Sequence, residues 1–307
     1  MSDLFYLLEN CELCPRKCSV NRRAGERGYC NSGDGYEIAS ICIHKGEEPP
    51  LSGKNGICNV FFSHCNLQCV YCQNYQISNN STTPETIMEL DEVVGQIEDI
   101  LNKGIGIVGF VSPTHFLPQV VAIVQRLLND GYSPVTVWNS NAYELPEKIE
   151  LLNEHIDVFM PDYKYSSSAI SEKYSDAPGY PEIAETAIKK MMQMRGPRLL
   201  CDENGLAFRG MLLRHLVLPG QSQQSITILR NIEKNLSVKI PISLMSQYVP
   251  LNKAAGYNEI NRKINHDEYC MVVNEMNRIG LTGWIQEFES ADFYMPDFKL
   301  INPFGEE

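Results

Sequence analysis

Short apolar segments alternate with amphipathic segments along the chain after residue 59. A first strand begins at Asn59, and the other segments with the character of buried strands are 105–111, 135–139, 156–160, 211–218, 240–245 and 284–288. Between them, apolar residues recur every three or four positions, which predicts helices over 91–102, 116–129, 145–153, 183–192, 226–236 and 266–279. This alternation predicts an α/β fold of βα units around a parallel sheet.

The first 58 residues lack this periodicity and are rich in turn residues, so we predict a small loop-rich amino-terminal module (1–58) before a core (59–307). The module carries Cys11, Cys14, Cys18 and Cys30 in the spacing C-x2-C-x3-C-x11-C. Four thiolates complete the shell of a structural zinc or of an auxiliary 4Fe-4S cluster, and the spacing leaves both open. Free thiols are the alternative, and Cys42 or Cys58 could replace one ligand.

A second cysteine group, Cys65, Cys69 and Cys72, follows the first predicted core strand in the spacing C-x3-C-x2-C. Three thiolates without a fourth nearby fit the tetrahedral shell of zinc poorly. On a 4Fe-4S cluster they would leave one iron open, where a small molecule could chelate. We therefore interpret this group as a reaction centre, against the alternative of three buried thiols or an ordinary metal loop.

The length and the net charge of the chain indicate its size class and the partners that they disfavour. The 307 residues are enough for one large core with an appendage, and the net charge of −12 disfavours binding to nucleic acid. The longest apolar runs fall far short of the ~20 residues that span a bilayer, and the first residues lack the basic start of a secretory signal. We expect a cytoplasmic protein without a membrane partner, in which eleven cysteines serve metal or redox chemistry.

The motif of Cys65, Cys69 and Cys72, with the aromatic Tyr71 before the last cysteine, resembles the signature of the radical S-adenosylmethionine (radical SAM) superfamily. The resemblance implies a partial (β/α)6 barrel in which the open iron binds S-adenosylmethionine (SAM). It also implies reductive cleavage of SAM to a 5'-deoxyadenosyl radical, with Tyr71 beside the adenine. Catalytic residues are then expected at the carboxyl ends of the strands.

Polar residues at the predicted strand ends are the candidates for binding the cofactor. They are Ser112, Thr114, Asn139, Asn141, Asp162, Lys164 and His215. Radical SAM activases usually carry a Gly-Gly-Glu type run where this chain has residues 112–114. Residues 162–164 resemble the Asp-x-Lys of the pyruvate formate-lyase activating enzyme, and a surface turn is the alternative interpretation. Residues 297–299 have a similar sequence, and no role is assigned to them.

The leading Cys-x-Leu-Cys-Pro-Arg-x-Cys run, residues 11–18 here, is similar to that of a group of activating-enzyme homologues. This resemblance implies hydrogen abstraction from a glycine of a partner glycyl-radical enzyme, with an electron donor such as a flavodoxin or ferredoxin. A radical SAM enzyme acting on a small molecule or peptide is the second hypothesis, and a non-catalytic iron-sulfur electron carrier is the third. His44 and Glu47 lie in a loop that is either a connector or the mouth of the site.

Overall fold

The computed structural model describes residues 4–82, 87–288 and 295–305. The strands within these residues are β1 Ile38–His44, β2 Ile57–Phe62, β3 Ile107–Val111, β4 Val135–Ser140, β5 Val158–Pro161, β6 Leu199–Cys201, β7 Ala207–Met211, β8 Leu213–Leu216, β9 Ile242–Met245 and β10 Gly283–Ile285. The helices are α1 Pro49–Ser52, α2 Tyr75–Ser78, α3 Leu90–Leu101, α4 Leu117–Asn129, α5 Pro146–Ile149, α6 Ser168–Ser175, α7 Tyr180–Arg195, α8 Ser222–Asn235 and α9 His266–Ile279.

The strands follow one another around a curved, mostly parallel sheet. One sheet has the order β1-β2-β3-β4-β5-β7-β6, and a second has the order β10-β9-β8. A parallel bridge between Asp162 and Arg214 joins the end of β5 to β8, so that the parallel strands continue from β2 to β10. The predicted α/β fold with a partial barrel of the radical SAM type is confirmed.

The helices form where the apolar period predicted them, because each buries one face against the strands. In α4, for example, Val120, Val124 and Leu127 are buried at intervals of three and four residues. Local signals fix the last long helix: the Asn265 side chain and Glu268 form a capping box at the start of α9, and Gly280 ends it with a φ of 77°.

The inward faces of the strands change from apolar at one end of the barrel to polar at the other. At the amino-terminal ends, a small cluster that includes Ile57, Ile107 and Val137 packs under Leu51 of α1. Farther up, Gly109 provides room for the Asn59 side chain, since a Cβ at Gly109 would lie 2.3 Å from the Asn59 Oδ1. The carboxyl ends therefore surround an open space above a closed floor.

Several elements differ from the sequence-based expectations, among them the helix α6, which was not predicted. Residues 38–44 form β1, which pairs antiparallel with β2 and extends the sheet, although this stretch was predicted to be loop-rich. The predicted strand 211–218 is divided between β7 and β8: the chain pairs first with β5 and β6 and then, after Leu212, with β9. Among the described helices, none has the length and apolar character needed to cross a membrane.

Candidate active site

The three cysteines after β2 line a cavity of about 810 Å³ at the carboxyl ends of the strands. The other residues that line it are Leu67, Tyr71, Gln73, Asn74, Val111, Ser112, Asn139, Ser140, Asn141, Asp162, Lys164, Arg214, Leu216, Met245 and Gln247. The cysteine loop and the ends of five strands, β3, β4, β5, β8 and β9, thus contribute to one space.

Distant parts of the chain hold the cysteine loop in place. The Val70 N–H donates to the Tyr174 carbonyl at 2.8 Å, and the Val70 carbonyl accepts from the Lys253 N–H at 2.8 Å. The Asn252 Nδ2 donates to the Cys69 carbonyl at 3.2 Å. The side chain of Asn80 pairs with both backbone groups of Cys65, at 3.1 and 2.9 Å.

Each of the three thiols has a hydrogen-bond partner. The Cys65 Sγ accepts from the Leu67 N–H at 3.4 Å and from the Asn141 Nδ2 at 3.5 Å. The Ser175 hydroxyl donates to the Cys69 Sγ at 3.0 Å, and the Cys72 Sγ shares a 3.2 Å hydrogen bond with the Ser78 hydroxyl. Such partners orient metal-bound thiolates and tune an iron-sulfur cluster.

Burial keeps these thiols protonated until a metal group replaces the proton. Desolvation raises the pKa of Cys65 to about 12 and that of Cys72 to about 11, and it also raises the pKa of Cys69. The charge of Lys164 acts in the opposite direction on all three. Three soft ligands with hydrogen-bond partners beside a large cavity fit a 4Fe-4S cluster with one open iron.

Five of the seven predicted strand-end residues line the cavity: Ser112, Asn139, Asn141, Asp162 and Lys164. The Lys164 Nζ donates to the Asp162 Oδ2 at 2.6 Å. Burial lowers the pKa of Lys164, but the charges of Asp162 and Cys69 outweigh it, so the net pKa is raised and the ammonium stays charged. The cavity therefore offers amide, hydroxyl, carboxylate and ammonium groups to a bound molecule.

Two of the predicted cofactor residues lie outside the cavity wall. His215 is on the opposite face of β8, where its Nδ1 donates to the Tyr163 carbonyl at 2.7 Å and its Nε2 accepts from the Ser225 hydroxyl at 2.8 Å. The hydroxyl of Thr114 donates to the buried Glu144 carboxylate at 3.0 Å. Both side chains satisfy their hydrogen bonds within the fold, and their assignment to the cofactor stays a prediction.

Tyr71, the aromatic residue of the cysteine motif, lies at the cavity wall and is nearly fully buried. Its hydroxyl shares a 2.5 Å hydrogen bond with the hydroxyl of Tyr165. Its ring packs against that of Tyr248, with 5.7 Å between the centroids. The phenol is therefore held from its far side, and the ring is left to pack against a planar group in the cavity.

Arg214 is the charged residue of this cavity that was not among the predicted candidates. Its Nη1 donates to the Glu47 Oε2 at 3.0 Å, and its Nε lies 3.6 Å from the Glu48 Oε1 and 3.8 Å from the Asp162 Oδ1. The alternation of side chains along a strand could have identified it. Because Leu212 packs inward, Arg214 must also point inward and His215 outward.

A second cavity adjoins the first and shares Arg214 and five other lining residues with it, namely Gln73, Asn74, Val111, Asn139 and Gln247. Its other lining residues are His44, Gly46, Glu47, Phe61, Pro296 and Phe304. The loop of His44 and Glu47 thus reaches the site. The His44 ring packs on that of Phe304, at 3.8 Å between centroids, so the carboxyl-terminal segment also forms part of the wall.

The second Asp-Phe-Lys run, residues 297–299, has a role in fastening the chain. The Asp297 Oδ1 accepts from the Gln76 Nε2 at 2.9 Å, and the Phe298 N–H donates to the Gln76 Oε1 at 2.8 Å. The Phe298 ring packs edge-on against Phe61. This run therefore ties the carboxyl-terminal segment to α2, directly after the cysteine loop.

The four cysteines of the amino-terminal region also come together. Cys11, Cys14, Cys18 and Cys30 line a separate cavity of about 330 Å³. Burial raises the pKa of Cys14 to about 12, and the three other thiols add to the shift. Of the alternative ligands, Cys42 lies on β1 and Cys58 on β2, and their packing partners belong to the core rather than to this cavity.

Comparison with known proteins places this geometry in a family. The model of the radical SAM superfamily matches residues 59–229. Uncharacterized protein MJ0674 of Methanocaldococcus jannaschii is 30% identical over 271 residues, which are 85% of this chain and 72% of that protein.

Two solved structures show the same fold at low sequence identity. Methylornithine synthase (PylB) has a TM-score of 0.51 at 12% identity, covering 75% of this chain and 63% of that one. Streptococcus suis SuiB bound to its precursor peptide SuiA also has a TM-score of 0.51 at 12% identity, covering 75% of this chain and 48% of that one. The chain thus spans less than two thirds of either structure. With the motif, the barrel and the family match in agreement, the chain belongs to the radical SAM superfamily, whose 4Fe-4S cluster and SAM the three-thiol cavity fits.

Proposed function

We propose that this radical SAM enzyme activates a partner protein by abstracting a hydrogen atom from one of its glycines. When bound at Cys65, Cys69 and Cys72, the cluster supplies the electron that cleaves SAM to the 5'-deoxyadenosyl radical, as in the superfamily. The residues of this chain then have to hold SAM, exclude water and present the glycine. The activase resemblance of residues 11–18 and 162–164 supports this assignment.

The residues that line the larger cavity match the polar groups of SAM. The carboxylate of Asp162 can accept from ribose hydroxyls or the amino group, and the amides of Asn139 and Asn141 can serve either a ribose or a carboxylate. Lys164 provides a cation for the carboxylate of SAM, and its charge also balances the thiolates. Tyr71 offers a ring face to the adenine.

The observation that carries the choice of a protein substrate is the polar wall of the second cavity. A glycine loop has only backbone N–H and C=O groups to recognise, and side-chain amides can pair with both. Gln73, Asn74 and Gln247 supply such amides, and Gln73 already donates to the Gln247 carbonyl at 2.8 Å. This cavity adjoins the SAM cavity and is open to solvent, so a loop of a partner protein could approach it.

Under the second hypothesis, a small molecule or a peptide would be the substrate and would occupy the same cavity. An electron carrier would need no such space beside its cluster, which disfavours the third hypothesis. For the first two, we propose a reduced flavodoxin or ferredoxin as the electron donor and the cytoplasm as the site of action.

The test is an anaerobic assay of the reconstituted protein with SAM and dithionite. We expect 5'-deoxyadenosine to form, and addition of the glycyl-radical enzyme from the same source should yield a protein-bound glycyl radical by electron paramagnetic resonance (EPR). The Cys69→Ala variant is the negative control, and Cys201→Ala, which changes an exposed thiol far from the cavity, is its matched control. Cleavage of SAM without a glycyl radical would reject the activase assignment and favour a small molecule or peptide.

A further inference from the structure

The amino-terminal cysteine site contains chemistry that the proposed function does not use. We propose that Cys11, Cys14, Cys18 and Cys30 bind an auxiliary 4Fe-4S cluster rather than zinc, and that this cluster lies next to the one at Cys65. The inference is independent of the substrate, because it concerns a separate cavity with its own ligands.

Backbone hydrogen bonds shape this cavity. The Cys11 N–H donates to the Val20 carbonyl at 2.9 Å, and the Cys11 carbonyl accepts from the Ser19 N–H at 3.0 Å, so residues 11–20 close into a loop that carries three of the thiols. The fourth thiol follows Gly28, where a Cβ would lie 2.7 Å from the Cys18 Cβ. Glycine is required there because the two chain segments approach so closely.

The spacing of the thiols favours a cluster. Zinc-sulfur bonds of ~2.3 Å bring all four sulfurs to within about 4 Å of one another. Among the described residues, no three His, Cys, Asp or Glu side chains come together closely enough to bind a single metal ion. The four thiols instead line one cavity together. Cys65, Cys69 and Cys72, the cluster ligands of the superfamily motif, also surround a cavity without forming a compact group.

Hydrogen-bond donors are directed at the sulfurs of this cavity, as they are at the active site. The Tyr29 N–H donates to the Cys18 Sγ at 3.3 Å, and the Arg22 Nη1 lies 3.9 Å from the Cys11 Sγ. Donors of this kind stabilise and tune iron-sulfur clusters.

His115 supplies an independent sign that the cavity holds a metal group. It lines the cavity, is 2% exposed, and its Nε2 donates to the Ser63 carbonyl at 2.9 Å. That leaves a lone pair on its Nδ1, which has no hydrogen-bond partner among the described residues. A buried acceptor without a partner is costly, so this nitrogen requires a group that the described residues do not supply.

Only a short hydrogen-bonded path separates the two cysteine sites. Asn80 Nδ2 donates to the Tyr29 carbonyl and to the Cys65 carbonyl, both at 2.9 Å. Since the Tyr29 N–H contacts Cys18, this path runs from one thiol site to the other through two residues. Arg16 adds a second connection, because it lies over the Tyr29 ring and donates to the Asn66 carbonyl at 3.0 Å.

The test uses a variant that lacks the active-site ligands, in which Cys65, Cys69 and Cys72 are all replaced by alanine. After anaerobic reconstitution with iron, sulfide and zinc together, we expect about four iron and about four sulfide per chain, and a reduced-cluster EPR signal. One zinc per chain, or no bound metal, would overturn the proposal. SAM cleavage by the unmodified protein tests the proposed function separately.

A second variant keeps the test decisive if the triple variant fails to fold. Cys14→Ala with Cys18→Ala in the otherwise intact chain should lower the iron content from about eight to about four per chain, while Cys201→Ala should keep about eight. An unchanged iron content in the double variant would contradict the assignment. If the two clusters lie next to each other, the EPR spectrum of the fully reduced protein should be broader than the sum of the spectra of the two variants. A spectrum equal to that sum would refute the proposed position of the second cluster.

Discussion

Replacing Arg214 by methionine tests how the charges between the two cavities are balanced. The side chains of Glu47 and Glu48 are each 7% exposed, so the substitution leaves two buried carboxylates without their cation. Removing one partner of a buried ion pair costs ~3–5 kcal/mol. We expect the free energy of unfolding to fall by about 3 kcal/mol, the lower end of this range. Only the contact between Arg214 and Glu47 is as short as 3.0 Å, and Glu47 keeps a 2.9 Å hydrogen bond from Asn59 in the variant.

The cost of Arg214→Met should depend on pH in a defined direction. Burial raises the pKa of Glu48, and the charge of Arg214 lowers it, so removing Arg214 raises this pKa further. A carboxyl group whose folded pKa lies above its unfolded value binds a proton on folding, so it stabilises at low pH and loses that contribution as the pH rises. The stability difference between the variant and the unmodified protein should therefore shrink from pH 8 to pH 6.

Urea denaturation of the anaerobically purified proteins at both pH values measures this difference. Arg126→Met is the matched control, because Arg126 pairs with Asp91 and Asp130 on the surface. This substitution should lower the free energy of unfolding by less than ~1 kcal/mol at either pH. A cost for Arg214→Met below that of the control, or the same large cost at both pH values, would refute the argument from buried charge.

Four further predictions concern individual groups of the active site. Adding SAM to the reconstituted protein should change the spectrum of the cluster, and no change would argue against an open iron. Cys69→Ala should abolish SAM cleavage, and any retained turnover would contradict its role as a ligand. Asp162→Asn should weaken SAM binding by ~1–3 kcal/mol in equilibrium dialysis, whereas early melting with normal cleavage would indicate a structural role. His215→Phe should lower the free energy of unfolding by ~1–3 kcal/mol, because the Tyr163 carbonyl loses its hydrogen-bond donor. The affinity for SAM should not change, and a loss of affinity at normal stability would assign His215 to the cofactor site.

Periodicity and motif spacing predicted most of the barrel because these signals are local. Each long helix buries a face that recurs every three to four residues, and α9 begins and ends at the predicted residues 266 and 279. β1 was missed because apolar residues lie on both of its faces: Cys42 is buried on one, and Ile41 and Ile43 are partly buried on the other. An edge strand of this kind has no clear alternation in its sequence.

At the site, the sequence identified the groups whose position follows from the end of a strand. Asp162 and Lys164 line the cavity for this reason. The partners of Arg214 could not be predicted, since Glu47 is 167 residues away and meets it only when the barrel closes. The sequence alone did not separate Arg214, which lines the cavity, from its neighbour His215, because a shift of one residue exchanges the inner and outer faces of a strand.

The long-range bonds of the cysteine loop have a consequence for how the protein is made. Residues 69 and 70 are held by Asn252 and Lys253, and Gln76 is held by Phe298, 222 residues later in the chain. A growing chain that has just emerged with its three cysteines lacks all of these partners. The loop can therefore reach its final shape only after residue 298 has been synthesised, so delivery of the cluster by the cell's assembly machinery belongs after that point.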